Sequence, residues 1–304
     1  LDPKYLQLGT LLSRNITSPE ARAAGIPIPF PGFTGTVAQV LRPFPQYLDL
    51  SATQSKAGNS KYHAMTIRLQ KRFSSGLSVE AHYTLSKALG YASYAASSID
   101  LLGQDNYNRK LEHSILPTDL PHAFALNFNF DLPFGPGQRI LNHGGTAGVL
   151  LGGWTLSGIL RYQSGFPIPI SMNNTLGIFS QRLRPDAVSG ESPATTIGTG
   201  EFNPAIDRRM NLSAFLPPAP FRPGTAPPTS QELRTFSYLN EDFSLTKETR
   251  ITESVRLENY GQFFNIFNRH RFHSFENNFS SASFGRPRGV SLPRFVQLGI
   301  RLRF

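Results

Sequence analysis

Over residues 294–304 apolar and polar side chains alternate strictly. Val296, Leu298, Ile300, Leu302 and Phe304 fall on one side, Gln297, Gly299, Arg301 and Arg303 on the other. A period of two marks a β-strand with one apolar and one polar face. Two arginines on the polar side rule out a dry interior there unless each is paired. An apolar outside around a charged, wet inside is the pattern of a transmembrane barrel strand. The same alternation predicts six further strands. Over 61–73, Met65, Ile67, Leu69 and Phe73 oppose Thr66, Arg68, Gln70 and Arg72, with Lys71 out of pattern. Ser74-Ser75-Gly76 turns the chain, and Leu77, Val79, Ala81, Tyr83 and Leu85 then oppose Ser78, Glu80, His82, Thr84 and Ser86, so 61–86 reads as a hairpin. Over 122–132, Phe124, Leu126, Phe128, Phe130 and Leu132 oppose Ala125, Asn127, Asn129 and Asp131. From Trp154 towards Gly165, Trp154, Leu156, Leu160 and Tyr162 oppose Thr155, Ser157, Arg161 and Gln163. A fifth strand over 235–249 carries Phe243 and Leu245 against Asp242, Ser244 and Thr246. After a turn at 251–253 a sixth carries Val255, Leu257, Phe263 and Phe267 against Arg256, Glu258, Tyr260 and Gln262, and Asn259 interrupts its apolar face.

The connections alternate in length. Short turns follow the first and fifth strands, and long loops over 88–120, 173–233 and 268–293 follow the second, fourth and sixth. Outer-membrane barrels pair short periplasmic turns with long external loops, so the short turns and the C-terminus are expected in the periplasm, together with the connection of about 20 residues after the third strand. Aromatics agree. Phe73, Phe134, Trp154 and Phe304 fall at the periplasmic ends, and Tyr62, Tyr83, Phe166 and Phe267 at the external ends, as two girdles. Residues 1–60, with Pro27, Pro29, Pro31 and Pro43, are expected to be an external loop region with one short helix or strand near residues 5–12. The expected fold is all-β: an antiparallel transmembrane β-barrel fragment of seven to eight long strands with long external loops. Single-chain bacterial barrels use even strand numbers. Seven visible strands, a first strand entered from outside, and a start at Leu-Asp-Pro without a signal sequence lead to the expectation of the C-terminal part of a larger barrel, with an open edge at 61–73 and another at 294–304.

Composition narrows the classes. The 304 residues are 39% hydrophobic and contain 26 Gly, 24 Pro and 24 Phe. No run reaches the 18 or so apolar residues that a membrane-crossing helix needs, and Gly and Pro are too frequent for a helical bundle. Cysteine is absent, which removes disulfides and thiolate metal sites. The net charge of +10 fits nucleic acid, an anionic membrane surface or a lumen that attracts anions. Without a dense Lys/Arg run interleaved with stacking aromatics, nucleic acid ranks last.

Candidate chemistry is sparse. His270 and His273 with Glu276 are metal-ligating types, but in a loop their spacing fixes no common face, and solvated histidines are the simpler reading. Asp100, Asp105, Asn106 and Asn108 are oxygen donors too irregularly spaced for a calcium loop. Gly135-Pro136-Gly137 lacks the helix of a phosphate loop and reads as a turn. Asp207 and Asp242, with Ser and His elsewhere, are types found in catalytic triads, but no nucleophile-elbow glycine pattern accompanies them. No enzyme activity, cofactor or metal is therefore expected. The informative set is the polar-face charges Arg68, Arg72, Glu80, Arg161, Arg256, Glu258, Arg301 and Arg303. They are expected to face the lumen and to pair with one another or with a plug. Loops 88–120 and 173–233 are the better candidates for ligand capture, since binding residues concentrate on loops held by a rigid scaffold.

Several stretches resemble one known family. They are 31–39 (PGFTGTVAQ), 41–47, 59–73 (NSKYHAMTIRLQKRF), 83–87 (YTLSK), 119–122 (DLPH), 132–135 (LPFG), 152–154 (GGW), 163–165 (QSG) and 263–268 (FFNIFN). In this order they are similar to the barrels of Oar-like TonB-dependent receptors, whose subfamily often carries a carboxypeptidase-regulatory-like domain. The resemblance implies a plugged outer-membrane barrel of about 22 strands, energised by TonB through a plug domain that this chain does not contain. It implies energy-dependent uptake of an unidentified ligand, contact with outer-membrane lipid, and insertion by the barrel-assembly machinery. Val296, Leu298, Ile300, Leu302 and terminal Phe304 resemble the assembly signal read by that machinery. The rival expectation is a structural or adhesive outer-membrane protein with surface-binding loops.

Overall fold

The computed structural model describes residues 1–48, 50, 58–91, 103–105, 107–142, 144–174, 183–198 and 200–304. Seven long strands form its wall: β1 (Ser60–Ser74), β2 (Leu77–Gly90), β3 (His122–Asp131), β4 (Trp154–Gln163), β5 (Tyr238–Arg250), β6 (Arg256–Phe264) and β7 (Phe295–Arg303). Each pairs antiparallel with the next in chain order. Strands of 9 to 15 residues suffice to cross a bilayer core, which takes about 9–11 tilted residues. No helix among the described residues is long and apolar enough to cross a membrane.

The register carries the sequence alternation across the whole sheet. On one face Glu80, Asn127 and Ile159 stand in line with Asp242, and Ser78, Asn129, Ser157, Ser244, Gln262 and Gln297 form a row from β2 to β7. On the other face Val79, Phe128, Gly158, Phe243, Phe263 and Val296 form the matching apolar row. The β1–β2 turn places Ser75 and Gly76 at φ 52° and 77°. Two consecutive positive φ values suit the right-handed twist of a hairpin. At Gly76 a side chain would also crowd the Asp131 carbonyl at 3.1 Å. The sheet remains open, with β1 and β7 as its edges, and Leu298 and Ile300 on β7 are 77% and 75% exposed.

The buried apolar core therefore lies outside the wall. Ile168, Ile170, Phe202, Met210, Phe215, Leu233, Phe236, Phe272, Phe275 and Phe284 pack together within the connections after β4 and β6. The expectation of a strandless loop over 173–233 is corrected here. Asp186–Ala187 pairs with Phe215–Leu216, and Phe272–Phe275 pairs with Pro287–Val290 in the next loop. Edge-to-face contacts such as Phe202–Phe236 at 5.1 Å and Phe279–Phe284 at 5.4 Å join the phenylalanines of this core. The wall strands contribute little to this core, which is built by the connections themselves.

Residues 1–48 also depart from a plain loop. A 3-10 stretch over Pro3–Ser13 is broken at Gly9 (φ 53°), and short helices follow at Pro19–Ala23 and Val37–Val40. Leu12, Ile16, Ala21, Phe33, Val37 and Ala38 bury one another, with Phe221 from the long loop packed against them. Ser18 and Thr36 cap the two helices through Ala21 N–H and Gln39 N–H, which the proline count obscured. β2 runs to Gly90, beyond the expected end, because Ser60 pairs with Gly90 and Ser114–Ile115 pairs with Leu89 and Gly90. β6 stops at Phe264, short of Phe267, because Asn265 and Asn268 turn the chain at φ 51° and 50°.

Candidate functional site: a polar wall face and a locked loop cap

The charges singled out on the polar face gather into two groups. On β1 and β2, Arg68 donates to Glu80 at 2.5 Å, and His82 lies 3.1 Å from the same carboxylate. On β5 to β7, Glu258 holds Arg303 at 2.6 Å with Arg301 at 3.8 Å, and Glu248 holds Arg256 at 2.8 Å. The cross-strand register forces this arrangement, since Arg301 is the direct partner of Glu258 and Arg303 that of Arg256. Arg161 stands apart on β4 between Ala125 and Asn240 and is exposed. Arg72 falls where the β1–β2 register slips between Lys71 and Ser74, outside the Glu80 cluster. The rest of the polar face is tied by hydroxyls and amides: Thr66 to Thr84 at 3.1 Å, Ser157 to Asn129 at 2.7 Å, and Thr155 to Asp131 at 2.8 Å.

Polar groups on the apolar face are handled individually. Lys71 bends its ammonium to the carbonyls of Ser74 and Leu77 at the turn, 3.0 and 3.1 Å away, as a long cationic side chain does when its stem lies on apolar surface. Asn259, unexplained by pattern, is the cross-strand partner of Lys247, whose own partner on β4 is Trp154. Glu241 is only 1% exposed and accepts from Arg269 at 3.0 and 3.2 Å. A buried carboxylate needs such a partner, and this hydrogen bond holds the Arg269 guanidinium above its ordinary pKa. Val296, Leu298, Ile300, Leu302 and Phe304 stand exposed on the same side of β7 as the apolar row, and Phe304 is 96% exposed.

At the end of the wall carrying the long connections, polar locks join loops distant in sequence. Arg184 donates to both Glu112 oxygens at 2.6 and 2.9 Å, and also to Ala226 O and Leu111 O. Gln104, fully buried, donates to Gly224 O and accepts from the backbone N–H groups of Arg184 and Gly224. Arg234 donates to Asp119 at 2.5 Å, and Asp119 accepts from Ala88 N–H at 2.6 Å, tying the long loop to the end of β2. Arg209 donates to Arg234 O and Thr195 O and stacks on Phe236 at 4.9 Å. Burial lowers its pKa and that of Arg271. The described parts of the 88–120 and 173–233 loops, both expected as candidates for ligand capture, are thus joined in one cap. Of these lock residues only Asp119 was quoted in the sequence, in the DLPH stretch, and no local pattern links it to Arg234, 115 positions away.

The residues considered for chemistry do not converge. Glu276 is bound by Arg288 at 2.9 Å and by Asn278 N–H, and the His270 ring lies against Phe272. Asp105 caps its own turn through Tyr107 N–H; Asp100 and Asn106 lie outside the described residues. Asp207 accepts from Asn203 N–H and Asp242 from Asn265 N–H. Among the described residues no group of three or more His, Asp or Glu side chains is placed to hold a metal.

A family model for the outer membrane beta barrel domain matches residues 9–297, nearly the whole chain. The chain belongs to the outer membrane β-barrel family. Its seat is therefore the bacterial outer membrane. No curated protein matches it. Among solved structures it is similar to the ferric-catecholate import receptor Fiu from K12 E. coli (closed form), at 15% identity and a TM-score of 0.37 over 81% of this chain and 21% of that one. It is also similar to P. aeruginosa FpvA bound to heterologous pyoverdines, at 12% identity and a TM-score of 0.32 over 80% of this chain and 20% of that one. The barrel chain thus spans about a fifth of either receptor.

Proposed function

We propose that this chain is part of the wall and the external cap of a TonB-dependent receptor that binds a ligand outside the cell and imports it across the outer membrane. The carrying observation is the open seven-strand sheet with one continuous polar, charge-bearing face. A small barrel would close on itself, whereas an unclosed arc suits a wider barrel with a polar interior. In this reading β1 and β7 meet further strands, and Arg68, Arg72, Glu80, Arg161, Arg256, Glu258, Arg301 and Arg303 face a lumen filled by a plug. The locked cap supplies the ligand surface and performs no catalysis. The quoted sequence stretches that resemble Oar-like receptors support the finer assignment. In this reading the assembly machinery engages the alternation of Val296, Leu298, Ile300 and Leu302 on β7.

The test is accumulation, by cells expressing the full-length protein, of labelled ferric siderophores, oligosaccharides and peptides, with TonB present or deleted. Uptake of one class that disappears without TonB is the expected result. Surface binding with no uptake in either strain contradicts import and supports the adhesive reading.

A further inference from the structure

The connection between β3 and β4 belongs to the short-turn end of the wall, yet it does not hang free there. A helix over Gly145–Leu151 folds back against the apolar face. Two contacts fix it. The Trp154 indole N–H donates to Leu150 O at 3.1 Å. The Lys247 ammonium donates to Val149 O at 2.6 Å and Gly152 O at 2.7 Å, and lies over the Trp154 ring at 5.2 Å. Trp154, Lys247 and Asn259 are cross-strand neighbours on the apolar face, one row beyond Leu156, Leu245 and Gly261. The helix is thus seated by its C-terminal carbonyls, where a cation is favoured, at the edge of the lipid-facing surface.

The same segment leaves Ile140, Leu141, Val149, Leu150 and Leu151 exposed, at 46–61%. Five large apolar side chains on one short connection are costly in water. Glycines hold them in place. Gly135 and Gly152 approach so closely that a side chain on Gly135 would reach Gly152 Cα at 2.5 Å, pinning the start of the connection to the end of the helix.

We propose that residues 139–141 and the Gly145–Leu151 helix form a membrane-interface anchor, embedded at the headgroup–acyl boundary of the periplasmic leaflet, with phospholipid as its partner. Continuity with the lipid-facing wall selects this occupant. The exposed apolar side chains extend the surface that Leu156, Leu245 and Leu298 present to acyl chains. Trp154 and Lys247 supply the amphipathic pair that settles at headgroup level, and exposed Arg139 adds a cation for anionic headgroups. The proposal depends on the membrane seat of the family and not on import, so it stands or fails separately from the uptake test.

The experiment reconstitutes the full-length protein, carrying Leu150→Cys labelled with an environment-sensitive fluorophore, into vesicles of phosphatidylethanolamine and phosphatidylglycerol. Quenching is measured with lipids bearing a doxyl group near the headgroup or deep in the acyl chain, and with aqueous iodide. A second variant, Gly198→Cys in the cap, is labelled in parallel. The anchor predicts several-fold stronger quenching of the Leu150 label by the shallow doxyl than by the deep one or by iodide, with the Gly198 label quenched by iodide alone. Iodide quenching of the Leu150 label without doxyl quenching overturns the proposal. Protection from both quenchers, as under a protein partner, overturns it too.

Discussion

Arg184 and Glu112 stand 72 positions apart and meet through two hydrogen bonds of 2.6 and 2.9 Å, with the arginine side chain 5% exposed. Removing one partner of a buried pair leaves an uncompensated charge and costs about 3–5 kcal/mol. Arg184→Ala is therefore expected to loosen the cap while sparing the wall, because every partner of Arg184 lies in the loops. Limited proteolysis of membrane-embedded protein checks this. Cleavage within 103–119 and 183–236 rises by at least tenfold, and the wall fragments stay protected. Unchanged cleavage contradicts the lock.

The two faces of β3 are expected to respond oppositely to charge. Leu126 lies between Ala81 and Leu160 on the apolar face, and Asn127 is in line with Glu80 on the polar face. Arginine on a lipid-facing strand costs about 2–4 kcal/mol near the midplane. Leu126→Arg is expected to lose that much in urea unfolding from liposomes, and Asn127→Arg less than about 1 kcal/mol.

A side chain at Gly165 would meet the Thr235 carbonyl oxygen at 1.7 Å, where β4 leaves the wall for the cap. Nothing stands within 4 Å of the same position on Gly198. Gly165→Ala is expected to destabilise by about 1–3 kcal/mol or more through overpacking. Gly198→Ala is expected to be neutral or stabilising by up to about 1 kcal/mol, because it restricts the unfolded chain. Paired thermal melts read the contrast, and equal melting temperatures contradict it.

The Glu258 cluster is expected to matter more for charge than for stability. Arg301 and Arg303 are more than half exposed, and ion pairs in water contribute about 0–1 kcal/mol. Glu258→Gln is expected to leave unfolding nearly unchanged while making the polar face more positive. An unfolding loss above about 3 kcal/mol would mean that the pair is buried by a partner.

The wall was legible because its period of two is imposed by one solvent on each face. The row from Val79 to Val296 repeats what the alternation predicts. The cap was not legible. Its core draws Phe202, Phe236, Phe272 and Phe284 from separate proline-rich loops, and no local period marks residues that meet only after long excursions. Asn259 broke the pattern, and it stands opposite Lys247, whose ammonium serves the neighbouring connection rather than its own strand. The polar-face charges were read by parity alone, and the slip in register beside Arg72 is invisible to parity.

The central claim is that one face of this sheet meets lipid and the other water. Spin labels placed singly at 296 to 303 on β7, in the full-length protein in liposomes, test it most directly, since the chain has no cysteine of its own to remove. Collision with oxygen is predicted to peak at 296, 298, 300 and 302, and collision with a water-soluble nickel chelate at 297, 299, 301 and 303. Accessibilities without that alternation, or with the two sets exchanged, would contradict the account.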